Sequence, residues 1–455
     1  MKITSMNPAT ETINKSFNLY SKSYCIKVSS EAKNAFLKWK VLPLQKRTAH
    51  LLSLARVLRA NKKEYARLIT IEMGKPITQS LDEIEKCAWA AETYASNSKR
   101  WLKDEIVKTE SKKSLVAVDP LGPLLCIMPW NFPFWQALRC AIPALAVGNT
   151  VILRHSNKVP MCALAIEEAI KKAGFPDCTF KTILSDYETV SALIANENVK
   201  GVSVTGSIET GTQIAIMAGK ALKKCVLELG GSDPFIVLED ADMGKTVEGA
   251  VRGRLLNSGQ SCISAKRFII AKNRYEEFTN ELTKRFNEIK PGDPLDKDTM
   301  VGPLASKEQL DKIESQVSDA IRKGATITAG GKRSPRKGYF YEPTIISDSK
   351  PTMRVLSEEV FGPVAALIPV NDLRTAIKIA NMTSFGLGAS VWTRDTKKGE
   401  KIARMIDAGS VFVNKNVRSD PRLPFGGIKK SGIGRELSHY GLLEFTNIKT
   451  IAINS

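Results

Sequence analysis

Apolar positions along the chain change period after about residue 104. From 30 to 104 they recur at helical spacing. Leu51, Leu54, Ala55 and Leu58 fall on one face of Arg47–Ala60. Ser30 is placed to cap a helix over Glu31–Trp39. Gly74 followed by Lys75-Pro76 stops the next helix, and Ser80–Trp101 reads as a long amphipathic one. Beyond them, short apolar runs alternate with helical patterns. The first series is Leu124–Met128, Thr150–Leu153 and Gly201–Thr205. A second series follows Glu228: Pro234–Leu238, Arg267–Ile270, Ala366–Val370, Ala389–Trp392 and Ser410–Val413. Strand-length runs interleaved with helices predict βαβ units and parallel sheets, so the fold class is α/β. Glu105–Val118 and the tail Phe445–Asn454 read as extended, and Pro291–Gly302 as polar and turn-rich.

Length adds a division into domains, because 455 residues exceed one ordinary core. Hydrophobic content of 43% with 25% charged residues is that of a soluble globular protein. The pattern contains no apolar run of membrane-spanning length, and Met1–Pro8 lacks an apolar signal core, so a cytoplasmic protein without a membrane partner is expected. The eight cysteines form no CxxC pair and the three histidines are scattered, so free thiols in a reducing compartment and no metal site are expected. A formal charge of +20 raises the question of nucleic acid. The lysines are spread along helical faces and no nucleic-acid module is present, so the charge reads as a solvated surface with no nucleic-acid partner.

Chemistry concentrates in three segments. Cys262 ends Asn257-Ser-Gly-Gln-Ser-Cys262, a polar, turn-like setting unlike a core thiol. Glu228, in Val226-Leu-Glu-Leu-Gly-Gly231, is a carboxylate suited to activating water. Asn131, in Pro129-Trp-Asn-Phe-Pro133, offers an amide donor to an oxyanion. Together they point to covalent thiol catalysis with a separate hydrolytic base. Gly206-Ser207-Ile-Glu-Thr-Gly211 follows the strand Gly201–Thr205 and opens a helix, so its N–H groups and hydroxyl suit a pyrophosphate. Taken alone it would read equally as a plain strand-to-helix turn.

These motifs, in this order, resemble the aldehyde dehydrogenase superfamily across essentially the whole chain. Leu227-Glu228-Leu-Gly-Gly231 is similar to its general-base motif and Gly259-Gln-Ser-Cys262 to its nucleophile motif. The resemblance implies a Rossmann-like cofactor domain (1–107 and 125–228), an α/β catalytic domain (229–428) and a small β oligomerisation element (108–124 and 437–455). It implies a homodimer or homotetramer. The implied catalytic residues are Cys262, Glu228 and Asn131. Glu436 matches a second family glutamate near the site, read as structural, and Cys140 stands where a lysine is frequent.

The cofactor implied is NADP or NAD, held by Trp130, Arg154, Ser156, Asn157, Gly206, Ser207, Gly211, Glu359 and Phe361. Asn157 stands where the family has a glutamate that would repel a 2′-phosphate, and Arg154 is suited to pairing with that phosphate. The substrate residues implied are Phe132, Trp135, Arg139, Ser261, Arg418, Ser419 and Phe425. Phe132, Trp135 and Arg139 share a helical face. Arg139 matches an arginine that binds the distal carboxylate in succinate-semialdehyde dehydrogenases. A second arginine of that subfamily is replaced by Leu256, with Arg418 nearby as a substitute charge. The favoured activity is therefore NAD(P)-dependent oxidation of succinate semialdehyde to succinate. Another small aldehyde such as lactaldehyde or glyceraldehyde, CoA-acylating chemistry and a non-catalytic RNA-associated protein are the alternatives.

Overall fold

Residues 2–454 are described by a computed structural model. The first helix, Lys22–Trp39, starts nine residues before the expected Glu31. Ser21 caps it, accepting from the Tyr24 N–H at 3.1 Å. Ser30 lies inside the helix, because the buried stripe Cys25, Val28, Ala32, Phe36 and Trp39 is continuous across it. The following helices are Leu44–Ala60, Lys62–Met73 and Ile77–Trp101. Gly74 ends the third at a φ of 80°, the left-handed conformation a helix stop favours.

One sheet has six strands, in the order Gly432–Ile433, Lys224–Glu228, Gly201–Thr205, Pro123–Met128, Thr150–His155 and Phe180–Ile183. All its pairs are parallel except the first. A second sheet has seven strands, in the order Thr326–Ala329, Thr344–Ser347, Val364–Val370, Ala265–Ala271, Asp233–Val237, Gly388–Trp392 and Ser410–Val413. Its first pair is antiparallel and the others parallel. Its central strands are buried on both faces. Ile236 and Ile269 enter one core while Phe235, Val237, Phe268 and Ile270 enter the other, which is why these strands read as continuous apolar runs. Phe235, Phe268 and Trp392 stack in that second core, Phe235 lying 5.0 Å and 5.1 Å from the other two.

Thr446–Ile453, Lys113–Pro120 and Glu105–Val107 form a separate antiparallel sheet. The extended readings of both segments hold, but Glu105–Val107 lies in this sheet and not in the cofactor segment that was expected to run to 107. The two-residue strand Gly432–Ile433 crosses from the C-terminal part of the chain to pair with Lys224–Glu228. An unforeseen hairpin, Lys2–Asn7 with Thr12–Asn18, opens the chain. Among the described residues no helix is long and apolar enough to cross a membrane. Glu228 ends a strand of the six-stranded sheet and Asp233 begins one of the seven-stranded sheet, so Leu229–Ser232 spans the seam where the site lies.

Candidate active site

Cys262 sits on a loop that the chain holds under strain. After the helix Met243–Leu255, Asn257, Ser258 and Gly259 take φ values of 53°, 54° and 76°, three left-handed residues in succession. A Cβ at Gly259 would lie 2.2 Å from the Gly362 carbonyl oxygen, so only glycine fits. Surrounding groups fix the turn. The Asn257 amide donates to the Asn131 carbonyl at 2.8 Å, and the Ser258 hydroxyl donates to the Gly302 carbonyl at 3.0 Å. Arg254 donates to the Gly259 and Ala265 carbonyls at 2.6 and 2.9 Å. The ammonium of Lys266, fully buried, donates to the carbonyls of Ser261, Cys262 and Ser264 at 3.1, 2.7 and 3.2 Å.

Burial pushes the Cys262 thiol up to about 12, against the pull of Lys266 and Arg139. At rest the sulfur is protonated, and those two cations favour thiolate character as it attacks. Cys25, Cys87, Cys126, Cys140 and Cys162 are buried and Cys178 and Cys225 half-buried; all eight are unbridged. Asn131 is buried in the same region and donates one amide hydrogen to the Gln260 carbonyl at 3.0 Å. Its second amide hydrogen leaves one donor for an oxyanion.

The Glu228 carboxylate is buried, and its Oε1 has no hydrogen-bond partner. Burial and the neighbouring Glu436 carboxylate push it well above the usual carboxylate range, while Arg139 and Arg435 draw it down. Such an unsatisfied buried carboxylate is costly, and a perturbed one in a polar pocket marks a working acid–base group. Arg139 feels the charge of both Glu228 and Cys262, so both lie within electrostatic reach of one guanidinium.

Arg139 itself differs from expectation. Its guanidinium is buried, pairs with Glu436 and donates to the Thr205 hydroxyl at 3.2 Å. Its carbon lies 4.9 Å from the Phe425 ring centre. The guanidinium expected to meet a distal carboxylate therefore already has a carboxylate partner within the protein. Arg418 is exposed and 4.0 Å from Asp420, which pairs more closely with Arg422 at 2.7 Å. Ser261 and Ser419 are buried.

Sequence reasoning missed Lys86. Its ammonium donates to the Ser419 hydroxyl at 2.6 Å and lies 4.2 Å from the Trp135 ring centre. It also missed the pair formed by Lys75 and Glu83, whose other oxygen accepts from the Phe134 and Trp135 N–H groups at 2.9 and 3.0 Å. The Lys75 ammonium caps the Phe132 ring at 3.6 Å. No local signal distinguishes these lysines from solvated ones on an amphipathic helix.

On the cofactor side, the buried Arg154 donates to the Ser185 carbonyl at 3.2 Å and to Asn157 Oδ1 at 3.4 Å, and its carbon lies 5.3 Å from the Tyr187 ring centre. Its Nε and the Ser185 hydroxyl are buried without partners, and it has no carboxylate in salt-bridge range among the described residues. That donor set fits an adenosine 2′-phosphate. Ser156 accepts from the Lys158 N–H through its hydroxyl at 3.3 Å. Glu359 accepts from the Gly231 N–H at 3.0 Å; Trp130 and Phe361 meet edge to face at 5.6 Å.

The Gly-Ser turn opens a helix, as the sequence pattern predicts. The Gly206 N–H donates to the Glu228 carbonyl at 3.0 Å, and the Ser207 hydroxyl caps the helix Ile208–Lys220, accepting from Thr210 N–H at 3.2 Å. Both are engaged within the protein. Gly211 is buried, and a Cβ there would strike Leu229 Cδ2 at 2.4 Å, so this glycine serves helix-to-sheet packing.

With this geometry in hand, the comparisons are specific. A family model described as the aldehyde dehydrogenase family matches residues 1–451. The chain is 44% identical over 453 residues, covering 100% of both chains, to a Synechocystis protein named "Probable succinate-semialdehyde dehydrogenase (NADP(+))". It is 42% identical over 456 residues, again covering 100% of both, to a Mycobacterium tuberculosis protein named succinate-semialdehyde dehydrogenase (NADP(+)) 1. It is similar to the crystal structure of succinic semialdehyde dehydrogenase from Streptococcus pyogenes in complex with NADP+, with a TM-score of 0.98, 35% identity and 100% of both chains covered.

Proposed function

The chain belongs to the aldehyde dehydrogenase family, and from that premise we propose that it oxidises succinate semialdehyde to succinate with NADP or NAD. One observation carries the chemistry: a cysteine on an over-determined loop and a buried carboxylate whose Oε1 has no hydrogen-bond partner both act electrostatically on Arg139. The named activity of full-length relatives supports the substrate.

The Cys262 thiol gives its proton to Glu228 or to water, its sulfur attacks the aldehyde carbon, and a thiohemiacetal oxyanion forms. The free amide hydrogen of Asn131 and the Cys262 N–H stabilise it. Bound nicotinamide supplies the hydride acceptor. Collapse of the oxyanion then leaves a thioester on Cys262. Glu228 takes a proton from water, the hydroxide attacks the thioester carbon, and the sulfur departs. Arg139, held by Glu436, keeps positive charge beside both Cys262 and Glu228. Glu359 stays a candidate for the nicotinamide ribose, with Trp130 and Phe361 beside it; Arg154, Asn157 and Ser156 are candidates for the adenosine end. In this reading residues 229–428 form the catalytic domain, and residues 125–228 with the helices before residue 105 form the cofactor domain.

CoA-acylating chemistry needs no hydrolytic base, and Glu228 disfavours it. A panel of aldehydes with NAD and with NADP, read at the reduced-nicotinamide absorbance, tests the proposal. The highest kcat/KM falls on succinate semialdehyde without CoA. A strict CoA requirement, or a preference for an uncharged aldehyde, would replace it.

The protein is also proposed to be a homodimer or homotetramer. Ile448, Ile451 and Ile453 are exposed on the edge strand Thr446–Ile453 of the three-stranded sheet, an apolar edge that a second copy would cover.

A further inference from the structure

Two lysines of the helix Ile77–Trp101 and its N-terminal approach enter the region of the substrate helix, Pro133–Val147, and they differ in one respect. The Lys75 charge is balanced by Glu83. Lys86 has no carboxylate within ion-pair range among the described residues; its named hydrogen bond is to the Ser419 hydroxyl at 2.6 Å, and an aromatic face, Trp135, lies 4.2 Å away. An ammonium has three donors, so two are available to a ligand. Ser419 and Trp135 are themselves buried, and the Trp135 indole Nε1 has no acceptor. Unpaired donors therefore gather around one half-buried cation that lacks a carboxylate partner.

We propose that Lys86, anchored by Ser419, supplies the cation that receives the distal carboxylate of the substrate and sets the preference for acid-bearing aldehydes. The inference rests on the reading of succinate semialdehyde as substrate and assigns its recognition to a residue other than Arg139. The Arg139 guanidinium is spent on Glu436 and Thr205, and Arg418 is exposed beside Asp420. Lys86 lacks a carboxylate partner and lies within electrostatic reach of Arg139, which in turn feels Cys262. Burial, then the Arg139 charge, press its pKa down to about 7, and an arriving carboxylate would relieve that pressure. The carboxylate would accept from the ammonium and the serine hydroxyl, with the indole N–H as a further donor of the same pocket. The ligand chemistry is thus an aldehyde bearing a carboxylate, and the aromatic face of Trp135 packs its methylene chain.

The test is steady-state kinetics at saturating NADP for the wild type, Lys86→Met and Lys86→Arg, with succinate semialdehyde and butanal. The read quantity is the ratio of kcat/KM for the two aldehydes. Lys86→Met should lower that ratio by about tenfold or more, through KM for succinate semialdehyde, since it removes a charged hydrogen bond. Lys86→Arg should recover part of the loss. A ratio unchanged in Lys86→Met overturns the inference while leaving the substrate reading intact. A wild-type ratio near one overturns the substrate reading itself. Should Lys86→Met fail to fold, Ser419→Ala decides: a rise in KM confined to succinate semialdehyde supports the assignment, and an equal rise for both aldehydes overturns it.

Discussion

Arg139 and Glu436 form a buried ion pair that joins the helix Pro133–Val147 to the strand-flanking segment after Gly432, beside Glu228. The pair sets two things at once. It gives the arginine a carboxylate partner, and it places a second carboxylate where it raises the pKa of the first. Glu436→Gln should cost about 3–5 kcal/mol of stability, because a buried cation loses its partner. It should also lower the Glu228 pKa, since the like charge disappears and Arg139 is left to act on Glu228. Glu228 works deprotonated, so the acid limb of the kcat profile should move to lower pH. A profile that stays in place, measured on folded Glu436→Gln, would dissociate the two carboxylates.

Much of this arrangement was beyond local reading, for identifiable reasons. The strands Pro123–Met128 and Ala265–Ala271 were legible because burial on both faces writes them as apolar runs. The hairpin Lys2–Asn7 with Thr12–Asn18 was not: it buries only Ile3, Ser5 and little else, and it is Lys- and Asn-rich. Cys262, Glu228 and Asn131 announced themselves through polar, glycine-rich neighbourhoods unsuited to a core. Arg139 could be placed on its helix face, but its partner lies far along the chain, and Lys86 meets Ser419 across 333 residues. Within the Gly-Ser turn, the packing of Gly211 against Leu229 and the bond of the Gly206 N–H to the Glu228 carbonyl have no local sequence signal.

Cys262 should be the single indispensable thiol. Cys262→Ala should abolish hydride transfer, whereas Cys25→Ala and Cys178→Ala retain it, since those thiols lie away from the strained loop at Asn257–Gly259. Stopped-flow absorbance of reduced cofactor reads the difference. Equal loss in a control would remove the nucleophile assignment.

Arg154 should discriminate the two cofactors. Its Nε is buried without a partner and Asn157 presents no carboxylate to oppose a 2′-phosphate. Arg154→Met should raise the KM for NADP by about tenfold or more while raising that for NAD less, as a charge-assisted bond to phosphate is lost. Parallel rises would assign Arg154 to packing against Tyr187.

Sedimentation at micromolar concentration should show a dimer or tetramer and no 50.0 kDa species as the main component. Ile448→Lys with Ile451→Lys should shift it toward the monomer, because charge on a sheet edge opposes pairing. A monomeric wild type would leave the exposed isoleucines of the terminal sheet without an occupant.

The most direct test of the account is Glu228→Gln in a single rapid-mixing experiment with succinate semialdehyde and NADP. The amide cannot take a proton from water, so the thioester on Cys262 should accumulate. The result predicted is a burst approaching one reduced cofactor per active site, followed by a steady-state rate lower by about two to four orders of magnitude, the usual size of a general-base contribution. A steady-state rate equal to that of the wild type would contradict the assignment of Glu228 as the hydrolytic base.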